Sequence, residues 1–117
     1  MPHLPEPQIT RYQRWLHERL GRRFDSYDAL WRWSVDDLEG FWRSMWDFFD
    51  IQSPVAPGRV LADPLPGGHA MPGARWFEGT QVNYAQQVLR HADAAHAAGH
   101  PAIVFADEVL LAQGRTV

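Results

Sequence analysis

The sequence contains neither lysine nor cysteine, and all eleven of its basic residues are arginine. Without cysteine, the chain can form no disulfide and no thiolate metal site. Without lysine, it cannot contain a phosphate-binding loop of the glycine-rich, lysine-containing type. These two absences exclude several common kinds of active site from these 117 residues.

Long apolar runs and a strong excess of one charge are also absent. No stretch is apolar enough to span a bilayer, so we expect no membrane partner. The net charge is −3 and the basic pair Arg22–Arg23 stands alone, which gives no support for nucleic-acid binding. The N-terminus has no basic region followed by an apolar one, as a secretory signal would have. We therefore predict a cytoplasmic protein of one domain or part of one.

Three helices are predicted within the first fifty residues. Thr10 is placed to begin the first, and Gly21 to end it after Leu20. Asp25 or Ser26 begins the second, which runs to about Trp33. The apolar sides of these two helices comprise Tyr12, Trp15, Leu16 and Leu20 in the first, and Tyr27, Leu30, Trp31 and Trp33 in the second.

The third helix is predicted from Val35 to about Phe49. Ser34 with the acidic pair Asp36–Asp37 resembles a capping box at its start. Gly40 weakens a helix interior, and a close crossing by another helix would explain it. The predicted apolar face comprises Leu38, Phe41, Trp42, Met45 and Phe49.

Proline and glycine dominate residues 52–82, which predicts a long loop with one strand-like segment, Arg59–Ala62. A structureless connection of this length needs a surface to lie on. Trp76 and Phe77 should supply the anchor. We expect both rings to be substantially buried against the helices that carry Trp42 and Trp46.

A further helix is predicted from the cap Asn83 to about Ala98, where Gly99 ends it. Its predicted apolar face comprises Ala85, Val88, Leu89 and Ala92. Beyond it, two continuously apolar runs, Ala102–Ala106 and Val109–Ala112, predict a β-hairpin that turns at Asp107–Glu108. A lone hairpin is barely stable in water, so these strands would need a larger sheet to cover them.

Groups of polar residues that could carry chemistry have simpler explanations. His91, Asp93, His96 and His100 cluster in sequence, but His91 and His96 diverge by about 140° on a helix, so a solvated helix end is favoured over a zinc site. The acidic pairs Asp36–Asp37 and Asp107–Glu108 suit helix capping and a turn.

Three other patterns also favour structural roles over chemical ones. Prolines interrupt Pro66–Gly73, which favours a surface loop over a phosphate loop. His17 and Glu18 are adjacent on a helix and point in different directions. The many early tryptophans suit packing more than a ring-stacking site, although three short helices cannot hide five of them. No catalytic, cofactor-binding or metal-binding residue is predicted.

Two blocks of the sequence resemble the N-terminal region of the acetoacetate–CoA ligase family, within the acyl-adenylate-forming, AMP-binding superfamily. The resemblance covers about residues 10–117. The blocks that carry it are Tyr27–Val35 (Tyr-Asp-Ala-Leu-Trp-Arg-Trp-Ser-Val), Phe41–Trp42, Trp46–Phe49, Trp76–Gly79 and Asn83–Ala85 with Leu89–Arg90. Gln86–Gln87 stands where that family tends to carry Glu-Asn, a departure that bears on the substrate more than on the family.

The resemblance implies a mainly α fold with a small C-terminal β-hairpin. Residues 1–100 would be a helical N-terminal cap with the loop at 52–82, and residues 101–117 the first strands of a truncated AMP-binding domain in a larger α/β enzyme. The whole ligase would use ATP, Mg²⁺ and CoA, and would form an acyl-adenylate before CoA displaces AMP. The fragment itself would bind none of these cofactors and would be inactive, because the phosphate loop and the catalytic lysine lie outside it.

Two alternatives stay open at this point. The chain could be the cap of an acetyl- or propionyl-type CoA synthetase, or an independent helical module that binds a partner protein through its aromatic face. In either ligase interpretation, its partner would be the remainder of the AMP-binding domain. In isolation the chain should associate with itself, by strand pairing of the hairpin or by exchange of the C-terminal segment.

Overall fold

A computed structural model describes residues 5–62 and 72–114. It divides the chain into two compact units, Met1–Val82 and Asn83–Val117. Within the described residues the structure is mainly helical with one two-stranded antiparallel sheet, and no helix is both long and apolar enough to cross a membrane. The elements in chain order are α1 (Gln8–Leu20), α2 (Tyr27–Asp36), α3 (Leu38–Phe48), β1 (Leu61–Ala62), β2 (Arg75–Trp76), α4 (Tyr84–Leu89), α5 (Ala92–Ala97) and α6 (Glu108–Ala112).

Helix α1 begins two residues before the predicted cap Thr10. Pro7 precedes it without a side-chain cap, and the Pro7 carbonyl accepts the N–H groups of Thr10 and Arg11 at 3.0 and 3.2 Å. At the other end, Gly21 adopts the left-handed conformation at φ 64°, and its N–H donates to the His17 carbonyl at 3.0 Å. Glycine tolerates this conformation without a steric penalty, so the predicted stop is confirmed.

The junction between α2 and α3 differs from the prediction. Ser26 caps α2 as expected, but α2 continues past Ser34 to Asp36, and Asp37 rather than Ser34 caps α3. The Ser34 hydroxyl donates to the Trp31 carbonyl at 2.6 Å, a bond that a serine within a helix can make. The Asp37 carboxylate accepts the Gly40 N–H at 3.0 Å, which satisfies a donor that the helix itself leaves free.

Asp37 also explains Gly40, for which a crossing helix was expected. A β-carbon at residue 40 would lie 2.3 Å from Oδ2 of Asp37. The glycine therefore makes room for the capping carboxylate of its own helix. The same carboxylate accepts the indole N–H of Trp33 at 3.2 Å, and Arg22 lies 3.8 Å from it with its guanidinium over the Trp33 ring.

The core of the first unit lies where α1, α2 and α3 meet. Its buried apolar residues are Tyr12, Leu16, Leu30 and Trp33, and the partly buried side chains packed on them are Trp15, Phe24, Phe41, Met45 and Phe48. Most of these contacts are edge-to-face or tilted ring pairs, such as Tyr12 with Phe48 at 5.2 Å between centroids. Leu20, Tyr27 and Trp31, predicted to be on apolar sides, are exposed instead.

The two strands form a minimal antiparallel pair in which Leu61 faces Trp76 and Ala62 faces Arg75. The Phe77 N–H extends the pairing by donating to the Val60 carbonyl at 2.8 Å. Val60, Leu61 and Ala62 are all buried, which confirms part of the predicted strand at 59–62.

In the second unit, Asn83 caps α4 as predicted, and its side chain accepts the Gln86 N–H at 3.2 Å. The single helix expected up to Ala98 is instead two, because α4 ends at Leu89 and α5 begins at Ala92. Asp93 lies in the first turn of α5, where a carboxylate favours a new helix start. The expected apolar face is not buried, since Val88 and Leu89 are both exposed.

The predicted β-hairpin is wrong. The first run, Ala102–Ala106, forms no regular element, and the second lies in helix α6. Asp107, expected in a turn, caps this helix by accepting the Leu110 N–H at 2.7 Å. Short apolar runs fit a strand and a buried helix equally well, and the cap decides between them here. The proposed self-association by strand pairing loses its basis with the hairpin.

Candidate functional site

Two ring pairs join α3 to the chain after β1, and we call them the clamp: Trp42 with Trp76, and Trp46 with Phe77. The first pair is edge-to-face with centroids 6.0 Å apart, and the second is stacked at 4.7 Å. One helical turn separates Trp42 from Trp46, so both project from the same side of α3. Trp76 and Phe77 are both partly buried, and their predicted contact with the helix that carries Trp42 and Trp46 is confirmed.

Glu39 continues the clamp side of α3 by one turn towards its N-terminus. Its Oε1 accepts the Leu61 N–H at 3.2 Å and lies 3.5 Å from Nε of Arg59. Helix α3 therefore holds β1 through a carboxylate and β2 through aromatic rings. Because the two strands also pair with each other, the connection is fixed at both of its ends.

Phe77 has a strained backbone at the centre of this arrangement. Its φ is 46°, a conformation that residues other than glycine rarely adopt. Such a residue costs about 1–3 kcal/mol and persists only where its surroundings fix it. Here its N–H is bonded to Val60, its ring stacks on Trp46, and its carbonyl accepts the Thr80 hydroxyl at 2.7 Å.

An apolar groove lies between α1, α2 and α3, with a volume of about 280 Å³. It opens to solvent, and Ile9, Tyr27, Trp31 and Phe49 at its edge are exposed. The groove is lined by Gln8, Ile9, Tyr12, Tyr27, Leu30, Trp31, Ser34, Phe41, Met45, Phe48 and Phe49. No charged residue is among them, so it suits an apolar occupant better than a charged substrate.

A buried hydroxyl pair lies below the groove. Ser44 is 1% exposed and donates to the Phe41 carbonyl at 2.6 Å. Since its single proton is used there, the Tyr12 hydroxyl at 2.6 Å must be the donor of the bond between Tyr12 and Ser44. Burial raises the pKa of Tyr12 above its ordinary value of 10.0, and the bond to Ser44 opposes that shift. The pair is satisfied and structural, and it offers no free nucleophile.

The residues considered for metal chemistry do not come together. Within residues 5–62 and 72–114, no three histidine or acidic side chains converge on a point that could hold a metal ion. His91 accepts a hydrogen bond from Arg90 at 3.0 Å, His96 lies on α5, and His100 follows the helix stop at Gly99. Most of the loop Pro66–Gly73, considered for phosphate binding, lies outside the described residues.

Two residues that organise the first unit escaped the sequence analysis. Ser44 is at the i+3 position from Phe41 and so lies on the buried face, but a polar residue gives no hydropathy signal. Glu39 holds β1 from 22 residues away in sequence, a partnership that no local pattern reveals. The predicted apolar face of α3 included Trp42 and Phe49, which are exposed. The face that packs on the core runs through Phe41, Ser44, Met45 and Phe48 instead.

Comparison with known proteins adds to this geometry. Residues 27–88, more than half of the chain, match the family model described as the acetyl-coenzyme A synthetase N-terminus. The match begins at α2 and includes α3 and all the clamp residues. The chain belongs to this family.

Several curated proteins similar to this chain are acetoacetyl-CoA synthetases. The enzyme of Macaca fascicularis is 34% identical over 84 residues, which cover 72% of this chain and 12% of the relative. That of Rhizobium meliloti is 34% identical over 76 residues, 65% of this chain and 11% of the relative. The solved acetoacetyl-CoA synthetase from Streptomyces lividans superposes with a TM-score of 0.69 and 40% identity, covering 86% of this chain and 15% of that one.

These matches identify the chain as similar to the N-terminal region of AMP-forming acid–CoA ligases. It spans only about an eighth of the length of the relatives it matches. They bear out the family that the tryptophan blocks and the Trp-Phe-Glu-Gly segment indicated. The catalytic activity of those whole enzymes cannot be assigned to these residues from the matches alone.

Proposed function

We propose that this chain is the N-terminal region of an ATP-dependent acid–CoA ligase that acts on acetoacetate through an acyl-adenylate. By itself the region is structural and inactive. The observation that supports this most is the 40% identity to the Streptomyces lividans synthetase over 86% of the chain, together with a shared fold.

Holding Mg²⁺ takes carboxylates that converge on the metal, and no group of three histidine or acidic side chains does so within residues 5–62 and 72–114. The sequence also has no lysine. In this proposal ATP, Mg²⁺ and CoA bind elsewhere in the ligase, and no reaction step is assigned here. The division of the chain at residue 100 and a cytoplasmic location stay predictions.

The clamp gives this region a structural role. By fixing the chain at β1 and β2 against α3, it sets the path along which the chain leaves the helical core. In the ligase, we propose that this path and the exposed aromatic side chains pack against the remainder of the AMP-binding domain. The cap would then stabilise the catalytic part without contributing a reacting group.

A chimera tests the proposal. Residues 1–117 would replace the matching region of the Streptomyces lividans synthetase, and CoA-thioester formation from acetoacetate would be followed against ATP. We expect activity in the chimera, none in a version with this region deleted, and none in the 117-residue chain alone. Thioester formation by the isolated chain would contradict the proposal, and so would an inactive, folded chimera.

A second candidate, an acetyl-type CoA synthetase, has its own support in the family description, which names acetyl-coenzyme A. The two differ in the acid and not in the role of this region. AMP release by the product of the complete reading frame, measured with acetoacetate, acetate and propionate in turn, separates them. Preference for acetate or propionate would replace acetoacetate in the proposal.

A further inference from the structure

The last turn of the first unit, residues 77–81, touches the rest of that unit through both of its ends. At its start, the Phe77 ring stacks on Trp46 with centroids 4.7 Å apart. At its end, the Gln81 N–H donates to Oγ of Ser53 at 3.1 Å. We call residues 77–81 the exit turn, because the chain leaves the first unit directly after it. The two contacts fix the course of the chain at that point.

One backbone torsion, the φ of Phe77, sets the position of both contacts. With the preceding chain held, rotation about this N–Cα bond leaves the Phe77 N–H on the Val60 carbonyl, 2.8 Å away, but moves the Phe77 ring and carbonyl together. The carbonyl in turn accepts the Thr80 hydroxyl at 2.7 Å, so the residues after Phe77 move with it. The observed φ of 46° brings both contacts into place. A relaxed, negative φ differs by about 100° or more and would carry the ring and the end of the turn away from their partners.

The closed form of the exit turn balances strain against stacking. A residue other than glycine persists at such a φ only where its surroundings fix it. A stacked ring pair contributes about as much as this strain costs, so neither dominates. We infer that Phe77 is a latch: its stack on Trp46 keeps φ positive and the exit turn closed, and loss of the stack releases Gln81 from Ser53. One ring pair therefore decides whether the chain leaves the first unit along a fixed path.

Phe77→Ala and Phe77→Gly form a matched pair, since both variants lack the ring and only glycine tolerates a positive φ. Amide exchange at Gln81 should be at least about tenfold faster in Phe77→Ala than in the parent chain. In Phe77→Gly it should be at least about fivefold slower than in Phe77→Ala, because the closed turn then carries no strain. Exchange at Gln81 that stays unchanged in Phe77→Ala, or that is no slower in Phe77→Gly, would overturn the inference. The same two substitutions at Trp76, which lies in the extended strand β2, should give no such advantage to glycine, and an equal advantage there would also overturn it.

Coupling between two contacts acts in both directions, which gives a second test. Ser53→Ala removes the acceptor of the Gln81 N–H and should weaken the stack of Phe77 on Trp46. The ring-proton chemical shifts of Phe77, displaced by the stacked indole, should then move towards those of an unstacked ring. The matched control, Ser34→Ala, removes a hydroxyl bonded within α2 and should leave these shifts in place. Unchanged shifts in Ser53→Ala, or an equal change in Ser34→Ala, would overturn the inference.

Circular dichroism checks that each variant keeps its helices. Every contact tested lies in the first unit, so the latch and the chimera assay can fail separately.

Discussion

The two units of this chain form helices by different means. In the first, α1, α2 and α3 bury a shared core, and local signals such as Ser26 and Gly21 act together with packing. In the second, Asn83 and Asp107 cap short helices from which no described side chain is buried. Capping determines where a helix begins, whereas burial supplies most of the free energy that keeps it formed. We expect the second unit to depend on a partner surface and the first to stand alone.

The largest expected effect is a difference in stability between two leucine variants, one in each unit. Leu16→Ala should lower the free energy of unfolding of the first unit by about 2–5 kcal/mol, because Leu16 is fully buried. The matched control, Leu89→Ala, removes an exposed leucine from the second unit and should cost less than about 0.5 kcal/mol. All six tryptophans lie in Met1–Val82, so their fluorescence in urea reports on the first unit, and amide exchange within α4 reports on the second. Equal costs for the two variants would break the comparison.

The clamp tests how far the core of the first unit extends. Trp46→Ala should lower the stability by about 2 kcal/mol, roughly half the cost for a fully buried ring. Amide exchange at Leu61 and Phe77 should accelerate more than exchange in α1. The control is Trp31→Ala, which removes the same side chain from α2 at a position outside the clamp. Unchanged exchange at Leu61 and Phe77 would show that the strands are held without the rings.

Ser44→Ala should cost the first unit about 1–3 kcal/mol, because it leaves the buried Tyr12 hydroxyl without its acceptor. The double variant with Tyr12→Phe removes both partners and should recover part of that loss. Urea denaturation of the two single variants and the double variant gives the coupling energy. A strictly additive result would mean that the two hydroxyls do not depend on each other in the folded state.

Gly40→Ala should destabilise the first unit by about 1 kcal/mol, although alanine ordinarily favours a helix by a similar amount over glycine. The new β-carbon would displace the Asp37 carboxylate and cost the cap. Gly58→Ala is the control, since a β-carbon there meets open space. A stabilised Gly40→Ala variant, judged by its urea midpoint, would contradict the role of Asp37.

The smallest expected effect is a dependence on alkaline pH confined to the first unit. The raised pKa of Tyr12 means that the folded state retains the proton longer than the unfolded state. This contribution is fully present below the unfolded value near 10.0 and is lost as the pH rises through the folded pKa. Urea midpoints between about pH 8 and 11 should fall less in Tyr12→Phe than in the parent chain. Tyr84→Phe, which removes an exposed hydroxyl from the second unit, should leave the fall in place.

The sequence allowed the strong local signals to be predicted but not the competition between neighbouring ones. Ser26, Gly21 and Asn83 have no rival nearby, and each ends or begins a helix as expected. Ser34 and Asp37 compete three residues apart, and Asp37 prevails with bonds to both Gly40 and Trp33. The hairpin prediction for Ala102–Ala112 was wrong for a related reason. The apolar runs were given more weight than Asp107, which caps a helix there. The clamp rings were found because aromatic residues need cover, whereas Glu39 acts through a backbone donor far away in sequence.

The clamp also has a consequence for the evolution of this region. Pairing of Leu61 with Trp76 brings together the two ends of the intervening stretch, and α3 secures each end independently. Doubling the length of a flexible loop costs only about 0.6 kcal/mol of closure entropy once its ends are fixed. Insertions and deletions between the two strands should therefore be nearly neutral for the helical core. Family members can be expected to differ in length here while they keep a carboxylate and two rings on the matching face of the third helix.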